Sequence, residues 1–197
     1  MPTPYHPTPR MTHVTLACCW LLASSLSLAE DKAASTPQEV KHQVTGLFCP
    51  ERVEDLHKAA KQLTNIELVS VDYATAEAVF RYDPAKVFPN AKPEQIVEQF
   101  DNQLRNASRH TFGIKPLCTT PRDKLQFVEI PVVGLDCKAC SLGAYEIVYK
   151  LEGVEQATAS FKAGLVTAWI DPTKTDRKKL EEILVQRSVT LKDAAVN

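Results

Sequence analysis

Two cysteines lie three positions apart where a predicted strand turns into a predicted helix. They close the segment Gly134-Leu135-Asp136-Cys137-Lys138-Ala139-Cys140. The run 127–133 before it is apolar and β-branched, and apolar residues recur at three- and four-residue intervals across 140–151. At a helix start, unpaired N–H groups and the helix dipole favour the thiolate, which is the strong ligand and nucleophile. The pair therefore suits a soft metal ion, and we expect Lys138 to favour the thiolates and Asp136 to oppose them.

The number of ligands narrows the choice of ion. Two thiolates without a third ligand satisfy an ion that prefers linear coordination, such as Cu(I) or Hg(II), but they give Zn(II) only half of its tetrahedral set. Cu(I) is the favoured ion, with Hg(II) and Zn(II) as alternatives. In an oxidising compartment Cys137 and Cys140 could instead form a disulfide, which would be structural or redox-active. A thiol redox carrier, or a protein–protein interaction module with incidental cysteines, therefore remains open.

The composition of the chain excludes other classes of function. With 197 residues, 44% hydrophobic content and a formal charge of −1, the chain has room for one or two domains and lacks the basic character of a nucleic-acid binder. It contains no Ser-His-Asp pattern, phosphate loop, dinucleotide fingerprint or His-rich metal motif. We therefore expect a binding protein and not an enzyme.

The N-terminus predicts export. Arg10 and His13 precede an apolar run at 14–28, and Ser27-Leu28-Ala29 resembles a signal-peptidase site. We expect a signal peptide at residues 1–29, followed by a polar tether at 30–39, which makes the mature protein periplasmic or secreted.

Membrane attachment is not expected after cleavage of this signal. Its apolar run is shorter than the roughly 20 residues that span a bilayer. Lipid anchoring at Cys18 or Cys19 is also not expected, because too few apolar residues precede these cysteines to form a signal core.

An internal duplication appears at an offset of 88 residues. At this offset Gly46-Leu47-Phe48-Cys49 falls on the segment that ends at Cys137, and Tyr82-Asp83-Pro84 falls on Ile170-Asp171-Pro172. Each Asp-Pro closes a strand, because proline cannot donate to the ladder and disfavours helix in the residue before it. The strands are predicted at 42–47, 66–73, 77–82 and 111–114, then 127–133, 154–161, 165–170 and 189–191; the helices are predicted at 51–63, 93–104, 140–151 and 177–186.

This order predicts two α+β domains. Each half follows the ferredoxin-like βαββαβ pattern, a four-stranded antiparallel sheet with two helices on one face. We place the domains at residues 40–115 and 125–193 and a Pro-containing linker at 116–124.

The Gly-Leu-Asp-Cys-Lys-Ala-Cys loop on this fold resembles the heavy-metal-associated (HMA) domain family of copper chaperones, copper-pumping ATPases and periplasmic mercury-binding proteins. The resemblance covers 125–193 well and 40–115 more loosely, so the chain looks like two tandem HMA domains with a degenerate first copy. It implies that Cys137 and Cys140 are the metal ligands and that Leu135 replaces the family's apolar Met. It further implies capture, buffering or handoff of the ion to a metal-transport partner.

The remaining cysteines lack a matching thiol. The first half has Cys49 but carries Arg52 where the second cysteine would stand, so it cannot copy the two-thiolate site. His110 precedes the last strand of this half and could approach Cys49 as a weak copper site, although a loop histidine is more often a solvated surface residue. Cys118 is predicted to be a free thiol, a link to another chain, or an extra ligand for the second domain.

Overall fold

The computed structural model describes residues 36–192. The predicted signal peptide at 1–29 and Asp193, the last residue of the predicted second domain, lie outside the described residues. Among residues 36–192, every helix is too short or too polar to cross a membrane.

The first half of the described chain forms one antiparallel sheet in the order β2-β3-β1-β4. Its elements are β1 (Gln38–Thr45), α1 (Arg52–Ala60), β2 (Ile66–Asp72), β3 (Glu77–Tyr82), α2 (Pro84–Val87), α3 (Pro93–Ala107) and β4 (Gly113–Lys115).

The second half repeats this topology in the order β6-β7-β5-β8. Its elements are β5 (Gln126–Val133), α4 (Lys138–Tyr149), β6 (Val154–Ser160), β7 (Leu165–Ile170), α5 (Arg177–Gln186) and β8 (Thr190–Leu191), and a 3₁₀ turn at Arg122–Lys124 precedes them. Both halves therefore have the ferredoxin-like fold that the sequence predicts.

The element boundaries differ from the prediction at identifiable places. The first strand begins at Gln38 and not at 42, because it pairs with β3 as far as Tyr82. Its first residues are exposed, so no apolar pattern marks them in the sequence. The short helix α2 was not predicted. It forms because the Asp83 carboxylate accepts the N–H of Ala85, and Pro84 supplies the backbone angle of a first helical residue.

Each sheet covers a separate hydrophobic core. Phe80, Phe100 and Leu56 lie in the first core, and Val166, Ile170 and Leu180 lie in the second. Two residues of the first half, Phe48 and Cys49, pack in the second core and not in the first.

The outer edge of β6 is where the second domain meets the first. The N–H of Ala159 donates to the Phe48 carbonyl at 3.0 Å. The Glu155 carbonyl accepts from Gln43 Nε2 at 2.8 Å and from Lys115 Nζ at 3.0 Å. An edge strand exposes unpaired backbone groups, and here the first domain satisfies two of them, the Ala159 N–H and the Glu155 carbonyl.

The linker also contributes to this contact. The guanidinium of Arg122 stacks on Trp169 of β7, with Cζ 3.7 Å from the ring centroid. The same group donates to Gln156 Oε1 at 3.1 Å and to the Ala74 carbonyl of the first domain at 3.3 Å. Arg122 therefore links both domains at the point where the chain passes between them.

Candidate metal centre

Cys137 and Cys140 lie together at the start of α4, as the sequence predicts. Cys137 is the N-cap residue, and its Sγ accepts the backbone N–H of Cys140 at 3.3 Å. The two Sγ atoms are 3.0 Å apart, both side chains are exposed, and both cysteines are free thiols. A side-chain acceptor at the N-cap uses one of the N–H groups that a helix start leaves unpaired.

The two thiols differ in acidity because they share a hydrogen bond. The pKa of Cys137 is lowered by the hydrogen bond from the Cys140 thiol and then by the Cys140 N–H, whereas desolvation and the charge of Asp136 act against this. The pKa of Cys140 is raised by the same bond to Cys137 and by partial desolvation. Cys137 is therefore the first of the pair to become a thiolate, and Asp136 opposes it as predicted. The largest contributions to both thiol pKa values come from the partner cysteine, and Lys138 is not among the main ones.

The loop is held from beneath by an apolar side chain. Leu135 is buried in the second core, so it anchors the loop to the sheet while the two thiols remain at the surface. Gly134 has φ +81°, a left-handed angle that favours glycine, and it turns the chain from β5 into the loop.

Cys137 and Cys140 are the two sulfur ligands that this loop offers to a metal ion. Within residues 36–192, no group of three or more His, Cys, Asp or Glu side chains is placed to hold a metal ion. Cys137 and Cys140 can therefore donate two sulfurs to an ion at the protein surface, where another thiol could reach it.

Cys49 does not form an equivalent site in the first domain. It is only 7% exposed, and burial and the neighbouring Glu51 raise its pKa. His110 is exposed in the turn after α3, and the main contributions to the Cys49 pKa come from burial, Glu51 and backbone N–H groups. A buried, protonated thiol is a poor metal ligand, so the suggested pairing of Cys49 with His110 gains no support.

Cys118 is a half-buried free thiol whose Sγ donates to the Thr120 carbonyl at 3.5 Å. It lines a cavity of about 430 Å³ between the domains, together with Gln43 and Glu155. Burial raises the pKa of this thiol, and Glu155 adds to the increase. Within this chain Cys118 is therefore a free thiol, and its other two predicted roles stay predictions.

The sequence did not indicate that α4 also contacts the first domain. The helical spacing of apolar residues predicts that Tyr145 faces the core, and it is buried in the second core. Its hydroxyl, however, accepts the N–H of Gly46 at 2.8 Å. The second half of α4, the helix that begins at the thiol pair, is therefore hydrogen-bonded to the loop of the first domain that contains Gly46.

None of the protein-family models matches this chain. The copper-transporting ATPase 2 of Homo sapiens is 22% identical over 178 residues, which covers 79% of this chain and 12% of that protein. The copper-exporting P-type ATPase of Bacillus subtilis (strain 168) is 24% identical over 158 residues, which covers 80% of this chain and 17% of that protein. The match thus spans less than a fifth of the length of each of these relatives, 12% of the first and 17% of the second. These matches confirm the predicted resemblance to HMA-like domains.

Solved structures also match. The N-terminal soluble domains of Bacillus subtilis CopA are 21% identical with a TM-score of 0.33, and the match covers 80% of this chain and 94% of that chain. Oxidized MerP from Ralstonia metallidurans CH34 is 26% identical with a TM-score of 0.32, and the match covers 34% of this chain and 97% of that chain.

Proposed function

We propose that this pair of HMA-like domains is an exported carrier that captures, buffers or hands off one thiophilic ion, most favourably Cu(I), through Cys137 and Cys140. The observation that carries the proposal is the exposed thiol pair at the start of α4, with Sγ atoms 3.0 Å apart and the pKa of Cys137 lowered. The relatives are named for copper transport, and this supports copper as the cargo.

Loading follows from the chemistry of the pair. Cys137 becomes the thiolate first and binds the ion, and Cys140 then loses its proton because the ion replaces the hydrogen bond between the sulfurs. Taking the zinc–sulfur distance of about 2.3 Å as a guide, two sulfurs on opposite sides of one ion lie roughly 4.6 Å apart. The loop must therefore open on loading, and the surface position of both side chains leaves room for this movement.

Transfer of the ion to a partner also depends on the exposed position of Cys137 and Cys140. A thiolate from a metal-transport partner attacks the bound ion from solvent and forms a three-sulfur intermediate, from which Cys137 or Cys140 leaves. Each departing sulfur regains a proton or its hydrogen bond to the other. No covalent chemistry on a substrate is required, so we propose a carrier and not an enzyme.

Metal analysis tests this function. The protein is purified under reducing conditions, dialysed against Cu(I), Zn(II) or Hg(II), and compared with a Cys137→Ser/Cys140→Ser double variant. We expect one equivalent of Cu(I) in the wild type and none in the double variant. Equal metal content in both proteins would refute the thiol-pair site. A wild type that takes up no metal but cycles between dithiol and disulfide would indicate a redox carrier instead.

Export has a separate test. Mass spectrometry of the protein recovered from outside the cytoplasm should show a mature chain that begins at Glu30, with Cys18 and Cys19 removed. Retention of Met1 in material found only in the cytoplasm would contradict export and leave the metal site unaffected.

A further inference from the structure

Arg52 occupies the place in the first domain that Cys140 occupies in the second. The repeat offset of 88 residues aligns Cys49 with Cys137 and Arg52 with Cys140. The first domain therefore carries one buried thiol and one cation where the second domain carries two exposed thiols.

The Arg52 side chain turns inward and does not extend into solvent. It is 15% exposed, and its Nη1 lies 2.6 Å from the Asp55 carboxylate. Its Cζ lies 5.4 Å from the ring centroid of Phe48 and 4.7 Å from that of Phe112. Both distances are within the range at which a guanidinium is attracted to the face of an aromatic ring.

These three partners come from three separate pieces of the first domain. Phe48 is in the loop before α1, Asp55 is in α1, and Phe112 directly precedes β4. The guanidinium therefore joins the loop, the helix and the last strand around one positive charge.

The loop held in this way is also the loop that contacts the second domain. Phe48 packs in the second core while its carbonyl accepts the N–H of Ala159. Gly46 donates to Tyr145, and Glu51 pairs with Lys162 at 2.6 Å. The Gly46 conformation is tightly constrained, because φ is +90° and a Cβ would lie against the Thr111 carbonyl.

We propose that the Arg52 guanidinium is a built-in cation that replaces a metal ion in the first domain and locks the loop before it, Gly46 to Glu51, onto the second domain. The positive charge that holds this loop is covalently attached, so the docking does not depend on metal. The contact between the domains is then the same with and without cargo, and metal loading alters only the loop of Cys137 and Cys140. This role goes beyond carriage of the ion.

Hydrogen exchange in the full chain tests the lock, because the amides of Gly46 and Ala159 both donate across the contact. Their exchange rates are measured in wild type, Arg52→Lys and Arg52→Met. We expect the Met variant, which keeps length but loses charge, to exchange at least about tenfold faster. The Lys variant should lie between the other two, since it keeps the charge but loses the planar group.

The control is Arg81→Met, which removes an exposed arginine that pairs with Glu39 and Glu67. It should leave both amides unchanged. Circular dichroism of every variant without metal checks that the protein remains folded. If Arg52→Met does not fold, the Lys variant must still exchange faster than wild type.

Three outcomes would overturn the proposal. The first is that both amides exchange in Arg52→Met at the wild-type rate. The second is that they exchange more slowly in Arg52→Met than in Arg52→Lys, which would mean that apolar packing alone is required. The third is a tenfold change at Gly46 or Ala159 when the wild type binds Cu(I). The comparison of variants without metal does not depend on the carrier function, so failure of one proposal is distinguishable from failure of the other.

Discussion

The hydroxyl of Tyr145 accepts a hydrogen bond from the backbone N–H of Gly46 across 2.8 Å, although the two residues are 99 positions apart. Tyr145 lies on the helix whose first turn carries the thiol pair, and Gly46 lies in the matching loop of the first domain. One buried hydrogen bond thus connects the helix that follows the two-thiol loop to the loop that carries a single thiol, Cys49.

Tyr145→Phe should lower the free energy of unfolding by about 1–2 kcal/mol, because it leaves the buried N–H of Gly46 without an acceptor while the ring is retained. Urea denaturation measures the change. The matched control is Tyr149→Phe, which alters the neighbouring stacked ring of the same helix and should cost less. An equal loss in both variants would mean that the bond to Gly46 contributes nothing specific.

Cys137→Ser and Cys140→Ser should each lower Cu(I) affinity by more than about 100-fold, which is the upper range for loss of an outer-shell partner alone. Cys49→Ser and Cys118→Ser serve as controls and should change affinity little, because neither thiol is exposed with a second sulfur beside it. Competition with a Cu(I) chelator measures all four. Comparable losses at Cys49 would indicate a joint site built by both domains.

Asp136→Asn should lower the pKa of Cys137 further, because the carboxylate charge of Asp136 opposes the thiolate. The pH dependence of alkylation measures this: the midpoint for the more reactive thiol should move to lower pH. Asp123→Asn, in the exposed 3₁₀ turn of the linker, is the control and should leave the midpoint in place. A midpoint that stays constant or rises in Asp136→Asn would contradict the electrostatic account.

His42 should make the protein sensitive to mild acid. It is 4% exposed, it bonds to the Tyr82 hydroxyl at 3.1 Å, and burial lowers its pKa from 6.5 to about 4. Between these values the unfolded chain binds the proton and the folded chain does not. The contribution of neutral His42 to the free energy of unfolding is therefore fully present above pH 6.5. It falls by roughly 3 kcal/mol as the pH approaches 4.

Urea denaturation at pH 7 and pH 4.5 checks this expectation. His42→Gln cannot take up the proton, so it should lose less stability on acidification than wild type does. His57→Gln, at an exposed position of α1, is the control and should behave as wild type. An equal acid loss in wild type and His42→Gln would show that other groups cause it.

Much of the fold could be predicted because its signals are local. Alternation and three- and four-residue spacing report which side chains share a face, and the repeated Asp-Pro marks the end of β3 and of β7. The bounds of β3, β7 and α5 agree with the prediction, whereas β4 and β8 are short and their limits depend on pairing with other strands. The thiol pair was also predictable, since two cysteines at a helix start are close by virtue of the helix alone.

The sequence by itself therefore determined two ferredoxin-like domains and one two-thiol loop. Only the tertiary structure decided that the loop of Phe48 and Cys49 is covered by the second domain, that Arg52 turns inward between two rings, and that Arg122 links both domains. The physical reason is that periodicity describes a residue's neighbours on its own element. Burial of a loop depends on which distant surface packs against it, and that surface is brought there by the folding of both domains together.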